Sequence, residues 1–529
     1  MSEDQDLRQG LTRAQVLKRG AAAAGAVAIP SALLAACGGD GGGSSSSGGG
    51  AASSDVVKLP ATVDGKIDFG GVELKGMGDE FAGPIWEWYG DDLEKEANVK
   101  IAKPAKFAFG QESQVITPKL IGNTTPPWNV IAFGGWYLGD FVATGGLEPL
   151  DKYLKGFPGY EEYLNGIAPA YRELVMKSKG QIYGLMLDGD SHGFHYRTSD
   201  YEDKTLQRAH RQQLGRDLKA PETWEQYIET AGFFTKQLKG DNRYGAQFAS
   251  EPAVSWAYWM GTAGSLGVQY FDANMKATVN SDAGVQGLEL LLRLAEHCPP
   301  GMENMSNNDT VSNWTSGRVV QAVYWMDLTE FDSKVSQNDS SDTAVPGSIV
   351  NGELKRATAL AFNRILGVPK NQPEETKRAA AWAAYRLSHP DYSIYSVADP
   401  FCGLEPYHTA HTTPAAIEQF TKPNPKRGTT ADYPKNQGIY RTLTRAKNHV
   451  AAIQDALKTG FPQPNWPGSG EYIRVLGTEV QNAIAGQKNS KQAMDSVAQQ
   501  WDEIVQKRGL KQQQEYYTAF QNSAKSIGL

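Results

Sequence analysis

Tryptophan rings and carboxylates follow the ends of several predicted strands in this chain of 529 residues. Trp136 comes after the apolar run 128–135, which ends in two glycines, and Trp325 ends the run 318–325 with Asp327 two positions later. A flat ring packs on the apolar face of a small ligand, and a carboxylate accepts hydrogen bonds from hydroxyl groups. The chain contains twelve tryptophans and twenty-three tyrosines, which is more than a hydrophobic core needs and leaves rings available for such a surface.

Six further candidate binding residues stand beside strand ends or in loops: Glu80, Asp188, His192, Glu251, Trp256 and Trp466. Glu80 follows the first predicted strand, where a carboxylate that stabilises a helix N-terminus is the alternative interpretation. Asp188 and His192 belong to a polar turn, and its Asp-Gly-Asp-Ser sequence favours a tight turn by itself. Trp256 shares a helix face with Trp259, which also suits a hydrophobic core.

Trp136 and Trp466 have packing alternatives as well. Trp136 precedes Asp140, and its ring suits either a ligand or the contact between two packed units. Trp466 lies between Pro464 and Pro467, in a rigid loop that precedes the C-terminal helices. We expect a binding cleft to use some of these rings, and we expect no catalytic residue, no metal site and no cofactor.

Alternating apolar runs and amphipathic stretches predict a mixed α/β fold from about residue 58. Strands are expected at 72–76, 99–102, 128–135, 182–187, 318–325 and 357–362. Helices are expected at 85–97, 224–238 and 374–387, and a further helix is expected after its N-cap Ser281. The C-terminal part shows two apolar helix faces, and Ser490 is the expected N-cap of the second of these helices. Strands that alternate with helices imply parallel β-α-β units with ligands at the carboxyl ends of the strands.

The first 54 residues read as a targeting segment and a linker. Arg13, Lys18 and Arg19 precede a sixteen-residue apolar run, which is too short to span a bilayer and fits an export signal. The run ends at Cys37 in Leu-Ala-Ala-Cys-Gly, which resembles a bacterial lipobox and implies lipidation of Cys37 after cleavage. Residues 38–54 are mostly glycine and serine, so a flexible tether is expected. A twin-arginine export route and a Sec route both remain open, because Ala14 replaces one arginine of the twin-arginine motif.

Composition excludes several functional classes. The net charge of −7 disfavours a nucleic-acid binder, and no apolar run of 18 residues predicts a multi-spanning membrane protein. Three cysteines exclude a disulfide scaffold or a thiolate zinc cluster, and we expect Cys298 and Cys402 to be free buried thiols. A phosphate-binding loop, a dinucleotide fingerprint and a Gly-x-Ser-x-Gly elbow are missing.

Six segments, in order, resemble one known family. They are Leu147–Asp151, Lys179–Leu185, Ala220–Gln226, Asn280–Val285, Trp314–Ala322 and the tail from Gly486 through Ser490, Ala493 and Trp501 to Ile504. They are similar to the extracellular solute-binding proteins (family 1, carbohydrate type) of bacterial ABC importers. Met186, Trp314 and Arg318 depart from the usual residues of those motifs.

The resemblance implies a two-lobed periplasmic-binding-protein-like α/β fold, with a hinge and C-terminal helices. The expected segments are signal 1–36, lipidated linker 37–57, lobe 1 at 58–190 and 357–405, and lobe 2 at 191–356 and 406–529. It also implies that the lobes close on a sugar, an oligosaccharide or a polyol, that Trp136 and Trp325 contact it, and that an ABC permease receives it. The expected protein is a monomer, held by its lipid in the periplasm or on the outer face of the cell membrane, and it is no enzyme.

Two alternatives come from other functional classes. A secreted carbohydrate-active hydrolase would also combine aromatic platforms with paired carboxylates. A metal-binding receptor lipoprotein would use the histidine pairs His192/His195 and His408/His411, each three residues apart.

Overall fold

The computed structural model describes residues 56–108, 110–122, 124–333, 339–399, 402–426, 438–440 and 442–529. The predicted signal, the lipidation site Cys37 and the Gly/Ser segment 38–54 lie outside these residues. Within the described ranges, no helix combines the length and the hydropathy that a membrane span requires.

The strands are short apart from the second and third. They are β1 Thr62–Val63, β2 Lys66–Gly78, β3 Ala97–Lys106, β4 Val130–Gly134, β5 Lys177–Ser178, β6 Gln181–Ile182, β7 Leu185–Met186, β8 His192–Arg197, β9 Gln321–Trp325, β10 Ser340–Thr343, β11 Ser348–Val350, β12 Glu353–Lys355, β13 Thr358–Leu360, β14 Arg364–Gly367 and β15 Gly460–Pro462.

Helices supply most of the regular structure. They are α1 Pro84–Glu96, α2 Glu112–Leu120, α3 Leu138–Ala143, α4 Asp151–Leu154, α5 Tyr160–Gly166, α6 Pro169–Leu174, α7 Thr198–Glu202, α8 Lys204–Leu214, α9 Trp224–Gln237, α10 Ser255–Ser265, α11 Asp282–Ala295, α12 Asn307–Thr315, α13 Leu328–Ser333, α14 Glu374–Ser388, α15 Pro390–Val397, α16 Pro414–Gln419, α17 Leu443–Lys458, α18 Ser469–Ile484, α19 Ser490–Arg508 and α20 Leu510–Ser526.

The two main sheets differ in strand direction. In the larger sheet, β2 pairs in parallel with β3 and β4, as the alternation of strands and helices predicts. β14 is antiparallel to β4 and β7, because it begins beside the point where β4 ends. The smaller sheet, β10-β8-β9, is antiparallel throughout, so the prediction of parallel units is wrong for that sheet.

The long helices follow the predicted apolar periodicity. α1, α9 and α14 lie within one or two residues of the predicted bounds. The predicted N-cap of α19, Ser490, is wrong by one residue, because the cap is Asn489. The Asn489 side chain accepts a hydrogen bond from the Gln492 amide, and the Gln492 side chain accepts one from the Asn489 amide. Such a reciprocal capping box satisfies two amides that would otherwise lack partners at a helix start.

Two large hydrophobic cores organise the described residues. The first includes Trp86 and Phe133, and the second includes Trp259 and Leu288. Within the described residues, three segments connect longer stretches of the first core to longer stretches of the second, and we call them the crossings: 187–194, 361–365 and 450–466. The segment boundaries at 190, 356 and 405 stay a prediction, while the residues Tyr407, Phe420, Ile439 and Val450 pack in the first core.

Hydrogen bonds hold the three crossings side by side. Asn363 Nδ2 donates to the Asp190 carbonyl oxygen at 2.7 Å, and the Phe362 amide donates to Gln463 Oε1 at 3.0 Å. β13 and β15, which adjoin the second and third crossings, form a parallel pair. Side chains that start from different parts of the sequence therefore meet at the crossings.

The two described cysteines lie apart, in different cores. Cys298 packs in the second core and Cys402 in the first, and both are buried thiols outside any disulfide. The prediction of two free thiols is confirmed.

Candidate functional site

Four aromatic rings meet at the crossings, and we call this group the aromatic hub: Trp136, Trp256, Trp325 and Phe362. The Phe362 ring is central, with its centroid 4.8 Å from that of Trp136, 5.0 Å from Trp256 and 5.1 Å from Trp325. Each of the four residues is at most 5% exposed. The structure thus brings three predicted site residues together around a ring that the sequence analysis did not select.

Local sequence explains how Trp136 reaches the hub. Gly134 ends β4, Gly135 follows it, and the Trp136 ring packs against Gly134. A Cβ atom on Gly134 would lie 1.8 Å from the Trp136 ring, so only glycine permits this close approach. Gly134 is therefore required for the position of the ring, whereas a Cβ atom on Gly135 would lie 2.7 Å from Val175 Cγ1.

Phe362 adopts a backbone conformation that is rare for its residue type. Its φ angle is 73°, in the left-handed region that disfavours any residue with a Cβ atom. The amide bond to Gln463 and the three tryptophan contacts hold it there. Such strain persists only where the surroundings determine the conformation, and it is frequent at functional sites.

His192 extends the hub toward the second core. Its ring lies 4.6 Å from the Trp325 ring, edge to face, and 5.0 Å from the Tyr258 ring. Neither ring nitrogen has a hydrogen-bond partner among the described residues. Burial lowers the His192 pKa most, and the nearby His195 lowers it further, to about 3. The His192 imidazole is therefore neutral at physiological pH.

A second group at the crossings is charged. Arg364, the first residue of β14, contacts three carboxylates: Asp79 at 2.8 Å, Asp188 at 2.5 Å and Asp190 at 3.5 Å. Asp79 also accepts the amides of Phe81 and Ala82, which start the turn before α1. All four charged side chains are buried.

Glu405 joins this group from a third part of the chain. Its carboxylate accepts hydrogen bonds from the Ser191 amide at 3.0 Å and from the Asp327 amide at 3.1 Å. The Glu405 amide in turn donates to Asp188 Oδ1 at 2.9 Å. We call the five residues Arg364, Asp79, Asp188, Asp190 and Glu405 the charged cluster. Through Asp327, two residues beyond Trp325, the cluster adjoins the hub.

Burial shifts the acidity of the charged cluster. It raises the pKa of Asp188 to about 6, although the Arg364 charge pulls in the opposite direction. Burial also raises the pKa values of Asp190 and Glu405 well above their ordinary range, and neighbouring carboxylates add to both shifts. The charged cluster thus buries four carboxylates and one guanidinium, which contacts three of them.

Three predicted site residues lie elsewhere. Glu80 is exposed beside Asp79, and Glu251 accepts the Asn307 amide at 2.7 Å. The Trp466 ring belongs to a group that we call the C-terminal ring cluster. Its members are Tyr270, Phe271, Trp466, Tyr472, Trp501 and Tyr517. The Trp466 loop still approaches the hub, because the Ser469 hydroxyl donates to the Trp136 carbonyl oxygen.

The sequence analysis did not select the residues that connect the aromatic hub with the charged cluster. Phe362, Arg364 and Glu405 come from the second crossing and from a loop of the first core, far apart in sequence from Asp188. A weak signal existed for Arg364, a lone cation directly after the predicted strand 357–362. Phe362 carries no local signal that distinguishes it from other core phenylalanines.

Three of the four histidines of the metal alternative have a ring nitrogen within hydrogen-bond distance of a protein oxygen. His408 Nε2 lies 3.0 Å from the Tyr163 carbonyl oxygen, and His411 Nε2 lies 2.8 Å from the Ser393 hydroxyl. His195 Nε2 lies 3.3 Å from the Tyr324 carbonyl oxygen. In the part of the chain that the structure describes, no group of three or more histidine, cysteine or acidic residues is arranged to hold a metal ion.

The arrangement suits binding. The hub offers flat apolar rings, and the neighbouring cluster offers hydrogen-bond acceptors with one cation. Trp136 follows β4 and Arg364 begins β14 in the larger sheet, whereas Trp256 and Trp325 come from α10 and β9, so movement of the larger sheet against α10 and β9 would change the spacing of rings and carboxylates.

Comparison with known proteins gives one family and many related folds. Residues 88–401 match the family described as bacterial extracellular solute-binding protein. An ABC transporter solute-binding protein from Agrobacterium radiobacter K84, in complex with ribitol, has a TM-score of 0.62 and 17% identity. The match covers 82% of this chain and 99% of that one.

Two further solved structures are similar to the same extent. Maltose-bound MalE3 of T. maritima has a TM-score of 0.61 and 17% identity, with 82% of this chain and all of the other covered. A solute-binding protein from Agrobacterium vitis S4 with bound D-mannitol has a TM-score of 0.61 and 17% identity, covering 83% of this chain and 99% of that one. These likenesses confirm the predicted two-lobed α/β fold of the periplasmic binding proteins.

Proposed function

The chain belongs to the family of bacterial extracellular solute-binding proteins, as its sequence motifs indicated, and we propose that its solute is a carbohydrate or a polyol. The protein captures this solute between its two lobes and delivers it to the permease of an ABC importer. Membership of the family makes it an exported protein. Lipidation of Cys37, a monomeric state and the absence of covalent chemistry are parts of the same proposal.

One observation carries the choice of solute: the aromatic hub lies directly beside the charged cluster. Sugars and polyols present apolar C–H faces that pack on rings and hydroxyl groups that need hydrogen-bond partners. The hub and the cluster supply both within one short stretch of the crossings. Solved relatives of similar fold contain ribitol, maltose and D-mannitol, which supports the same class.

The mechanism follows from the position of the site. Trp136 and Arg364 are held by the larger sheet, whereas Trp256 and Trp325 come from α10 and β9 beside the second core. A solute that contacts both sets favours the closed arrangement by its differential affinity for the two states. Engagement of the carboxylates by Arg364 and by main-chain amides suits a receptor that binds and releases its solute unchanged.

The test is a binding titration of the purified chain with mono- and oligosaccharides, polyols and peptides. For a sugar or polyol that binds, Trp325→Phe should weaken affinity by about 1 kcal/mol, since a smaller ring covers less of the ligand. Trp501→Phe, the same change in the C-terminal ring cluster, is the matched control and should leave affinity unchanged.

Three outcomes would contradict the proposal. Binding of peptides alone would exclude the carbohydrate solute. Equal affinities of the Trp325 variant and the parent chain would remove Trp325 from the site. Cleavage of any member of a polysaccharide panel would contradict the proposed lack of covalent chemistry.

A further inference from the structure

The last helix, α20, has two stripes of residues that are shielded from solvent. Gln513 and Tyr517, one turn apart, are buried, and we call them the inner stripe. Tyr516, Ala519 and Ser523 are half-buried and are spaced three and four residues apart, and we call them the outer stripe. Because residues at this spacing share one side of a helix, the two stripes lie on adjacent sides of α20. The helix therefore packs against two different surfaces.

The inner stripe attaches α20 to the second core. The Tyr472 hydroxyl donates to Gln513 Oε1 at 2.8 Å. The Tyr517 ring has its centroid 5.4 Å from that of Phe271 and 5.1 Å from that of Trp466. The partner rings Phe271, Trp466 and Tyr472 all belong to the second core.

The outer stripe and the end of the chain attach α20 to the first core. Lys179, in the turn between β5 and β6, places its Nζ 3.9 Å from the centroid of the Tyr516 ring and 3.4 Å from Glu515 Oε2. The cavity left between the outer stripe, this turn and the end of α6 measures about 20 Å³, which is room for one water. Beyond the helix, Ile527 and Leu529 pack against the first core, to which β6 also contributes.

Both attachments exist in the arrangement that also assembles the charged cluster. There the Asp327 amide donates to Glu405 Oε1 at 3.1 Å. Leu328, next to Asp327, belongs to the second core, and Leu404, next to Glu405, belongs to the first. A regular helix moves as one body, so α20 cannot keep both attachments when the two cores separate. The contacts of α20 therefore stabilise the assembled arrangement relative to a separated one.

We propose that α20 is a strap, which fastens the two cores to each other and biases the solute-free chain toward the arrangement with an assembled hub and charged cluster. The strap touches neither the hub nor the cluster. It acts on affinity by raising the fraction of chains that are competent to bind. This inference goes beyond the proposed function, because the bias holds for a solute of any class.

The test weakens only the first-core side of the strap. Lys179→Gln removes the charge beside the outer stripe, and Ile527→Ser with Leu529→Ser removes the apolar contacts at the end of the chain. Hydrogen exchange of the solute-free chain, measured by mass spectrometry, reports how often each amide becomes exposed. In the triple variant, the Asp327 amide should exchange at least about threefold faster than in the parent chain.

Two further variants accompany the triple variant. Lys276→Gln is the matched control, because it removes an ion pair with Asp502 between two segments of the second core. It should leave exchange at Asp327 unchanged. Lys179→Gln alone changes one exposed turn and should accelerate exchange at Asp327 by less than the triple variant does.

Three outcomes would overturn the inference. Unchanged or slower exchange at Asp327, with any acceleration confined to α20, would make the helix an ordinary part of the second core. Equal acceleration inside β2 and α14 would show a loss of global stability instead. Equal acceleration by Lys276→Gln would show that the contacts to the first core have no special effect. Because no solute is present, none of these results depends on the carbohydrate proposal.

Discussion

The crossings and the C-terminal ring cluster both bury several aromatic rings, but they differ in what surrounds those rings. Tryptophan Nε1 atoms of both regions donate to main-chain oxygens: Trp501 to Tyr472 at 3.0 Å in the C-terminal ring cluster, and Trp325 to Ala361 at 3.1 Å at the crossings. At the crossings, the rings adjoin four buried carboxylates, a neutral histidine and a strained backbone. Aromatic content alone therefore does not distinguish the two regions, whereas the neighbouring polar groups do.

The largest expected effect concerns the only cation of the charged cluster. Arg364→Met leaves Asp79 and Asp188 buried without a counter-charge, and we expect the free energy of unfolding at pH 7 to fall by up to about 5 kcal/mol. The pKa of Asp188 in the fold is raised to about 6 from 3.8, so its stabilising contribution is present at low pH and is lost as pH rises through 6. Without Arg364 this pKa rises further, and the deficit of the variant should shrink between pH 7 and pH 4.5.

Denaturant unfolding at several pH values measures this effect. Arg293→Met is the control, because Arg293 forms a bidentate pair with Glu225 near the surface, where such pairs contribute about 0–1 kcal/mol. If the decrease in the free energy of unfolding caused by Arg364→Met were the same at every pH, it would contradict the described pairing of Arg364 with buried carboxylates.

A somewhat smaller effect is expected in the C-terminal ring cluster. Trp501→Ala removes a fully buried ring and leaves a cavity, so the free energy of unfolding should fall by about 3–4 kcal/mol. Because its nearest ring contacts are to Phe271 and Tyr472, this loss should be nearly the same at pH 7 and at pH 4.5. A loss that follows the pH dependence of Arg364→Met would remove the contrast between the two regions.

The smallest expected effect tests the backbone of Phe362. Phe362→Gly and Phe362→Ala create similar cavities, but only glycine adopts a φ of 73° without steric cost. We expect the glycine variant to be more stable than the alanine variant by about 1 kcal/mol, the reverse of the usual order. Thermal unfolding of the pair measures the difference, and greater stability of the alanine variant would show that the conformation is unstrained.

Sequence patterns predicted what depends on local periodicity. The apolar stripes of α18 and α19 and the runs that become β2, β4 and β9 are visible in single stretches of 5–20 residues. The direction of β14 was not predictable in this way. It depends on where the chain re-enters the larger sheet after leaving the second core, and no short window contains that information.

The site was predictable only in part for the same reason. Strand-end position selected Trp136, Trp325 and Asp188, which the structure places in or beside the hub and the charged cluster. Phe362 and Glu405 reach those groups through contacts that join residues more than 200 positions apart. Such contacts are decided by packing of whole elements rather than by the types of neighbouring residues.

The compact hub has an optical consequence. Three indoles lie within about 5 Å of one phenylalanine ring in a fixed asymmetric packing, which is the condition for strong near-ultraviolet circular dichroism. Trp136 follows β4 of the larger sheet, whereas Trp256 and Trp325 come from α10 and β9, so a displacement of β4 relative to α10 and β9 would change the angles between these transition dipoles. The hub is therefore an intrinsic optical reporter of such a displacement, and no attached label is needed to follow it.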